Sequence, residues 1–176
     1  MILTQMRNPE NTDGLMQLIN SLPSDLTMAE IGCYIGNSTK LFMESGKVKI
    51  CYAIDIWEDA IMKYETAFGK EHNFTEVEHT FDRNLEGFNI VKLKMTAQEA
   101  AKKLPALDFV YIDANHDYEY VIEDIKTAMH KLKPSGIISG HDYHFATPGV
   151  IKAVDEIFGK PDVTFSDGSW LVKLIK

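Results

Sequence analysis

The sequence predicts an α/β protein built on a doubly wound, mainly parallel seven-stranded sheet with a C-terminal antiparallel hairpin. Three observations predict this fold. Strand and helix patterns alternate along most of the 176 residues, as they do in parallel sheets covered by helices on both faces. The last two strand candidates are separated only by Ser166-Asp167-Gly168, which is typical of a hairpin. No repeat or linker divides the chain, so we expect one domain over residues 1–176, with 1–25 as a leading helical segment.

Each predicted element follows from a local pattern. Strands are predicted from short runs of apolar and β-branched residues, at 26–32, 48–55, 88–95, 106–113, within 135–143, at 163–165 and at 169–176. Helices are predicted from apolar residues at helical spacing between capping residues, at 14–23, 37–46, 97–104, 119–132 and 148–159. Residues 58–87 are predicted to be helical in two pieces that break near 69–73. Asn37 or Ser38 is the predicted N-cap of the second helix.

Charge and composition exclude several classes of protein. The net charge is −8, from 18 basic and 26 acidic side chains, and a negative surface repels phosphate backbones, so no nucleic-acid partner is expected. No apolar run approaches the ~18 residues of a membrane span, and no signal peptide is evident. We therefore expect a cytoplasmic protein without a membrane partner. Cys33 and Cys51 lie in apolar stretches and are expected to be free core thiols.

The ends of the first two predicted strands carry the first motif. Gly32 and Gly36 lie four residues apart before a helix, and glycine lets a turn press its amides against a ligand at a helix N-terminus. Asp55 ends the next strand, where an acidic side chain suits the two hydroxyls of a ribose. A turn that only connects strand to helix, and an Asp55 that only caps a helix, are the alternatives. Together the two signals favour a bound nucleoside, although the spacing is not the G-x-G-x-x-G of dinucleotide sites.

The end of the fourth predicted strand carries the second motif. The stretch "FVYIDANHDYEYV" begins as a buried strand and then places Asp113, Asn115, His116 and Asp117 within five positions. Ligands of doubly wound sheets bind outside the carboxyl ends of the strands, so we expect a functional site there. The alternatives are that Asp113 caps a helix and that His116 is a solvated loop residue.

Some neighbouring polar residues are expected to have structural roles only. Asp117 is predicted to be the N-cap of the following helix. Glu123 and Asp124 are predicted to lie on a solvated face of that helix. The segment "HDYH" at 141–144 could be a loop without a metal.

The order of these motifs resembles that of class I S-adenosylmethionine-dependent methyltransferases. The resemblance rests on "E-I-G-x-x-x-G-x-S" followed by a strand that ends in Asp. The segments "YIDANHDYEYVIEDI", "LKPSGIISGHDY", "PGVIKAVDEIF" and "SWLVKL" resemble the small bacterial methyltransferase family 24. That family is similar to the macrolide-sugar O-methyltransferases and, more distantly, to the catechol and caffeoyl-CoA O-methyltransferases. The resemblance covers residues 26–176 and implies a Rossmann-like fold.

The resemblance implies roles for the cofactor-binding residues. S-adenosylmethionine would be the cofactor. Its methionine part would lie against Glu30, Gly32 and Gly36, its ribose against Asp55 and its adenine against Thr96 and Ala97, with Asp113 also bordering it. Trp57 would either flank the adenine or pack in the core.

The resemblance also implies a metal and a base. In the divalent-metal branches, the Asp that ends the fourth strand is a metal ligand, and the residue three positions later is a base in some of them. Asp113 and His116 match that spacing. His141 and Asp142 occupy the positions of the acidic or amide pair that completes the metal site, and His141 departs from the usual acid or Asn. Imidazole suits Zn or Ni better than Mg, so the expected ion is Mg²⁺ or another divalent metal. The alternative is that His141 points aside and hydrogen-bonds a substrate.

The expected function is methylation of a hydroxyl on a sugar or another small polar acceptor. His116 and Asp113 are the expected catalytic residues. A non-catalytic module that binds S-adenosylmethionine or S-adenosylhomocysteine is one alternative. A metal-dependent hydrolase and a nicotinamide-dependent oxidoreductase are the others. A homodimer would cover the acceptor side, which few insertions of this chain cover. Residues 58–87 are expected to form part of a lid.

Overall fold

The computed structural model describes residues 12–58 and 73–174. Within them the helices are α1 (Thr12–Ser21), α2 (Asn37–Glu44), α3 (Phe74–Asn84), α4 (Ala97–Ala100), α5 (Tyr118–Lys131) and α6 (Pro148–Phe158). The strands are β1 (Leu26–Ile31), β2 (Val48–Asp55), β3 (Ile90–Lys94), β4 (Leu107–Ile112), β5 (Leu132–Gly140), β6 (Val163–Thr164) and β7 (Trp170–Lys173).

The strands form one sheet in the order β3-β2-β1-β4-β5-β7-β6. Strands β1 to β5 pair in parallel, and β7 pairs antiparallel with both β5 and β6. This confirms the predicted doubly wound sheet and its closing hairpin. The strand order reverses between β1 and β4, where Ile31 pairs with Ile112. The carboxyl ends of these two strands therefore lie side by side at the switch point, where such sheets bind their ligands.

Helices bury both faces of the sheet. Successive side chains of a strand point to opposite faces, so neighbouring residues of β4 pack in different clusters. Phe109 packs with Leu18 of α1 and Phe42 of α2. Its neighbour Val110 belongs to the cluster that includes residues of α5 and α6, such as Ile125. Burial on both faces explains why residues 109–112 of β4 form a continuous apolar run in the sequence.

The predicted N-cap of α2 is wrong. The cap is Gly36, which has a left-handed backbone (φ 82°) and makes no side-chain cap hydrogen bond. Asn37 is the first residue of the helix. Ser38 lies inside it, where its buried hydroxyl donates a hydrogen bond to Glu30. Glycine takes the cap position because this φ strains other residues.

The predicted solvated face of α5 is wrong for Asp124 and correct for Glu123, which is exposed. Asp124 is buried because α5 packs against α4 as well as the sheet, and the Gln98 side chain hydrogen-bonds to it. Burial, with the charge of Glu123 adding to it, raises the pKa of Asp124 to about 7. Asp117 is the N-cap residue of α5, as predicted.

The remaining predicted elements agree with the structure in type and place. The second helical piece of 58–87 is α3, whereas its first piece and nearly half of the expected lid segment fall in 59–72, outside the described residues. Cys33 and Cys51 are buried free thiols, as predicted. None of the helices in 12–58 and 73–174 has the length and apolar character needed to cross a bilayer.

Candidate active site

Two left-handed glycines shape the turn that follows β1. Gly32 has φ 86° and Gly36 has φ 82°. A Cβ on Gly32 would overlap the carbonyl oxygen of Asp113, and one on Gly36 would overlap the side chain of Leu85 and lie 2.9 Å from Phe81. The turn therefore passes in close contact between the loop after β4 and helix α3. Neither glycine position accepts a larger residue without strain.

Asp55, at the end of β2, holds this turn from the side. Its Oδ2 atom accepts hydrogen bonds from the backbone N–H groups of Cys33 (2.9 Å) and Tyr34 (2.8 Å). Its Oδ1 atom accepts one from the backbone N–H of Trp57 (2.8 Å). Tyr34 and Trp57 both have positive φ, so the carboxylate stabilises two strained turns at once.

Glu30 lies beneath the turn. It is the fifth residue of β1 and is completely buried, and Ser38 of α2 donates a hydrogen bond to its Oε1 atom. The acid thus joins the strand to the first turn of the helix that follows. Its contact with the methionine part of a cofactor stays a prediction.

Thr96 and Ala97 begin α4 at the same edge of the sheet. Thr96 and Glu99 form a capping box, in which each side chain accepts from the backbone N–H of the other residue. Exposed Thr96 lines a surface groove together with Ile56 and Met95, and Ala97 is buried next to it. The groove lies beyond the ends of β2 and β3, and its contact with an adenine stays a prediction.

Trp57 packs in the interior, which is one of its two expected roles. It is 2% exposed, its ring centroid lies 4.9 Å from that of Phe81, and its Nε1–H donates to the backbone oxygen of Tyr34 (2.8 Å). The ring supports the glycine turn from behind.

Asp113 and His141 follow neighbouring strands and lie side by side. The backbone N–H of Asp113 donates to Ile31 (2.8 Å), and that of His141 donates to Ile112 (3.0 Å), so both residues continue the parallel ladder by one step. The Nδ1 atom of His141 lies 3.9 Å from Oδ1 of Asp113. The sequence prediction that these residues meet at the carboxyl edge is consistent with this geometry.

Asp142 contacts three imidazoles. Its Oδ2 atom lies 2.8 Å from Nε2 of His116 and 3.0 Å from Nδ1 of His141. Its Oδ1 atom lies 3.2 Å from Nε2 of His144. Asp142 reaches this position through a left-handed backbone (φ 61°), which Asp tolerates better than most residues. His144 has no predicted role of its own, although it ends the segment "HDYH".

These contacts shift two pKa values in opposite directions. The hydrogen bond with Asp142 raises the pKa of His116 above its usual value, although burial of the imidazole works against it. Burial disfavours ionised Asp142, but the hydrogen bonds from His116 and His141 outweigh it and hold the pKa of Asp142 well below its usual range. Asp142 is therefore an anion at neutral pH, and His116 carries a proton more readily than an isolated imidazole.

The donor atoms of Asp113, His141 and Asp142 fit a divalent cation. One ligand atom from each lies within 4.8 Å of the others, and all three residues are half-buried. Two carboxylates and one imidazole make a donor set common to first-row divalent metals, whereas Mg²⁺ favours oxygen ligands.

Two residues that support this cluster were missed by sequence reasoning. Gly149, in the first turn of α6, packs so closely on the loop after β4 that a Cβ there would overlap the carbonyl oxygen of His116. Asp167, in the β6–β7 connection, is buried and lies 3.9 Å from His141 (Oδ2 to Nε2). In the sequence, Gly149 is visible only as part of a helix start after Pro148, and Asp167 only as part of a hairpin turn. Neither pattern indicates a contact with the cluster.

The switch-point sheet, the glycine turn after β1 and the acid that ends β2 are together typical of the class I S-adenosylmethionine-dependent methyltransferase fold. The chain belongs to methyltransferase family 24, described as a methyltransferase domain, whose profile matches residues 29–143. S-adenosylmethionine is the cofactor of this family.

One curated relative is an uncharacterised protein of Acanthamoeba polyphaga mimivirus. It is 30% identical over 141 residues, which cover 76% of this chain and 59% of the viral protein. The chain thus spans about three-fifths of the length of that relative.

Solved structures of methyltransferases and related proteins share the fold. The O-methyltransferase NovP superposes with a TM-score of 0.64 at 15% identity, over 98% of this chain and 82% of NovP. Precorrin 8W decarboxylase from Methanobacterium thermoautotrophicum gives 0.64 at 18%, over 96% and 87% of the two chains. An rRNA methylase from Streptococcus thermophilus gives 0.59 at 14%, over 98% and 99%. At these identities the likeness concerns the fold alone.

Proposed function

We propose that the chain transfers a methyl group from S-adenosylmethionine to a hydroxyl of a sugar or another small polar acceptor, with His116 as the base. One observation carries the proposal: His116 contacts the anionic Asp142 at 2.8 Å, beside Asp113 at the switch point of the sheet. A neutral imidazole there can take the proton of a hydroxyl. The imidazole is 40% exposed, so an acceptor can reach it.

The cofactor would lie across the carboxyl ends of β1, β2 and β3. Gly32 and Gly36 allow it close to the backbone, and Glu30 supports this turn from below. A carboxylate has about four acceptor positions, and Asp55 uses three of them on backbone N–H groups, so its Oδ1 atom can accept one more hydrogen bond, from a ribose hydroxyl. The groove lined by Thr96, with Ala97 buried beside it, would take the adenine.

The reaction would be an in-line displacement, so alignment of oxygen, methyl carbon and sulfur supplies much of the rate. The acceptor oxygen would form a bond to the methyl carbon while the carbon–sulfur bond breaks. The electron pair of the broken bond would stay on the sulfur. With the Nε2–H of His116 donated to Asp142, the lone pair lies on Nδ1, which receives the hydroxyl proton. The products are a methyl ether and S-adenosylhomocysteine.

Asp113, His141 and Asp142 would hold a divalent cation in the same reaction. When bound, the cation would supply orientation and acidification of the acceptor hydroxyl. The net charge of −8 favours a small acceptor over a nucleic acid. In this the chain would differ from its structural neighbour described as an rRNA methylase.

A calorimetric titration with S-adenosylhomocysteine, followed by methyl-transfer assays on glycosides, phenols and RNA, tests the proposal. We expect binding that weakens at least tenfold in Asp55→Ala, while Asp25→Ala, which changes an exposed acid, binds as the wild type does. Transfer to a glycoside or phenol that a chelator abolishes would support the acceptor class and the metal. Binding without transfer to any acceptor would favour the non-catalytic module, and transfer only to RNA would overturn the acceptor class.

A further inference from the structure

We propose that Asp167 is a positioning residue that orients His141 as an imidazole ligand, so that the site takes a first-row transition metal rather than Mg²⁺. The inference rests on the metal site of the proposed function and adds the class of metal and a residue from the C-terminal hairpin. It follows from the surroundings of a single imidazole.

His141 lies between two sets of carboxylates. On one side its Nδ1 atom lies 3.0 Å from Asp142 Oδ2 and 3.9 Å from Asp113 Oδ1. On the other side its Nε2 atom lies 3.9 Å from Asp167 Oδ2, within ion-pair distance though longer than a hydrogen bond. The imidazole is 14% exposed, so it has little room to turn to any other orientation.

Asp167 is held firmly in its place behind the imidazole. Its side chain is completely buried. Its Oδ1 atom accepts from the backbone N–H of Ser169 (2.9 Å), and its Oδ2 atom accepts from the hydroxyl of Ser169 (3.0 Å). Gly14 of α1 packs on the same carboxylate so closely that a Cβ there would overlap it. The carboxylate therefore cannot swing away from His141 without disturbing α1 and the hairpin.

This arrangement places a carboxylate on the side of the ring from which proteins commonly orient a histidine ligand, at ion-pair rather than hydrogen-bond distance. A metal-binding imidazole commonly has its second nitrogen facing a carboxylate, which fixes the tautomer and raises the basicity of the ligating nitrogen. In the metal-free chain the Nδ1–H of His141 is hydrogen-bonded to Asp142 at 3.0 Å. A cation would displace that proton, and Asp167 would then favour the remaining proton on Nε2, so that the Nδ1 lone pair faces the cation beside Asp113 and Asp142. Imidazole suits transition metals, whereas sites for Mg²⁺ are built from oxygen ligands. The carboxylate of Asp167, on the far side of the ring, is the observation that favours His141 as a metal ligand over a residue that only lines the site.

The test compares Co²⁺ and Mg²⁺ affinities of the purified chain, by visible absorbance of Co²⁺ and by competition. Most protein sites bind Co²⁺ more tightly than Mg²⁺, so the change in the Co²⁺ to Mg²⁺ preference on mutation is the decisive quantity. In His141→Asp, which supplies an oxygen in place of the imidazole, we expect that preference to fall at least tenfold. An unchanged preference would overturn the proposed metal class.

The role of Asp167 has its own variant and control. In Asp167→Asn we expect Co²⁺ affinity to fall by about 10- to 100-fold, the usual effect of losing such a partner. Asp162→Asn is the matched control, because Asp162 lies in the same hairpin, is exposed and accepts a backbone hydrogen bond from Lys173 (2.7 Å). If Asp167→Asn does not fold, ¹⁵N NMR of the Zn²⁺-loaded wild type decides: a proton on Nε2 of His141 supports the role, and a proton on Nδ1 contradicts it.

Failure of this inference differs from failure of the proposed function. If His141→Asp leaves the metal preference unchanged while methyl transfer persists, the metal class is wrong and the function stands. If the wild type shows the expected preference but transfers no methyl group, the metal class stands and the function is wrong. If neither ion binds, both the inference and the proposed metal site fall.

Discussion

Gly32 and Asp113 are in contact across the switch point of the sheet, so closely that a Cβ on Gly32 would overlap the carbonyl oxygen of Asp113. Strand pairing produces this contact, because Ile31 pairs with Ile112 and accepts the backbone hydrogen bond of Asp113 (2.8 Å). Gly32 belongs to the proposed cofactor turn, and Asp113 begins the proposed catalytic loop. The two halves of the site therefore share a backbone contact, and a change in one displaces the other.

Replacing Gly32 by Ala tests this coupling. A left-handed residue other than Gly costs ~1–3 kcal/mol, and the overlap with Asp113 adds to that strain. We expect Gly32→Ala to lose at least this much unfolding free energy and at least tenfold in S-adenosylhomocysteine affinity, measured by urea denaturation and calorimetry. Gly46→Ala is the control, because Gly46 is also left-handed (φ 68°) but has nothing within 4 Å of a Cβ. Equal effects in the two variants would contradict the coupling.

Gly149 is expected to set the position of His116. An Ala in a helix is normally more stable than Gly by ~1 kcal/mol, but here its Cβ would overlap the carbonyl of His116 and lie 2.9 Å from the backbone nitrogen of Tyr118. Gly149→Ala should therefore lower the turnover number at least tenfold while S-adenosylhomocysteine affinity stays within twofold. A variant that is more stable and fully active would show that the loop does not depend on this contact.

The rate of methyl transfer should rise with pH. His116 accepts a proton only when neutral, and its hydrogen bond with Asp142 raises its pKa above the usual ~6.5. Turnover should therefore increase as pH rises through a value above 6.5, and this limb should disappear in His116→Ala. The protonated form also stabilises the fold, so this contribution is present at low pH and is lost as pH rises through the folded pKa. A rate that is flat from pH 6 to 8 would contradict the assignment.

Asp124 should make the fold less stable as pH rises. Its folded pKa is about 7, against ~3.9 in an unfolded chain, so the folded state holds a proton that the unfolded state releases between these values. We expect Asp124→Asn to gain roughly 2–4 kcal/mol over the wild type between pH 4 and 8, at about 1.4 kcal/mol per pKa unit. Glu123→Gln, on the exposed neighbour, should show no such gain. Parallel pH profiles of wild type and Asp124→Asn in urea denaturation would contradict this account.

The sequence predicted the sheet and most of its elements because their signals are local. The alternation of strands and helices and the hairpin depend on neighbouring residues alone. The rule that ligands lie at carboxyl ends of strands then brought Asp113, His116 and Asp142 to one edge. The structure places these three within a few ångströms of one another or of His141.

The features that sequence reasoning missed depend on tertiary neighbours. Asp124 reads as a surface residue of α5 until α4 covers it with Gln98. Gly36 replaces the polar cap because its left-handed turn must fit against Leu85, which follows the distant helix α3. Asp167 looks like an ordinary turn residue and gains its role only because the hairpin folds back on β5, beside His141.

The most direct test of the proposed chemistry is the turnover number of His116→Ala at saturating acceptor and cofactor. His130→Ala, which changes an exposed imidazole on α5, is the matched control. Loss of a general base lowers rates by ~10²–10⁴-fold, so we expect a fall of that size with S-adenosylhomocysteine affinity within twofold of the wild type. Full turnover in His116→Ala would show that another group takes the proton, and the proposed role of His116 would be wrong.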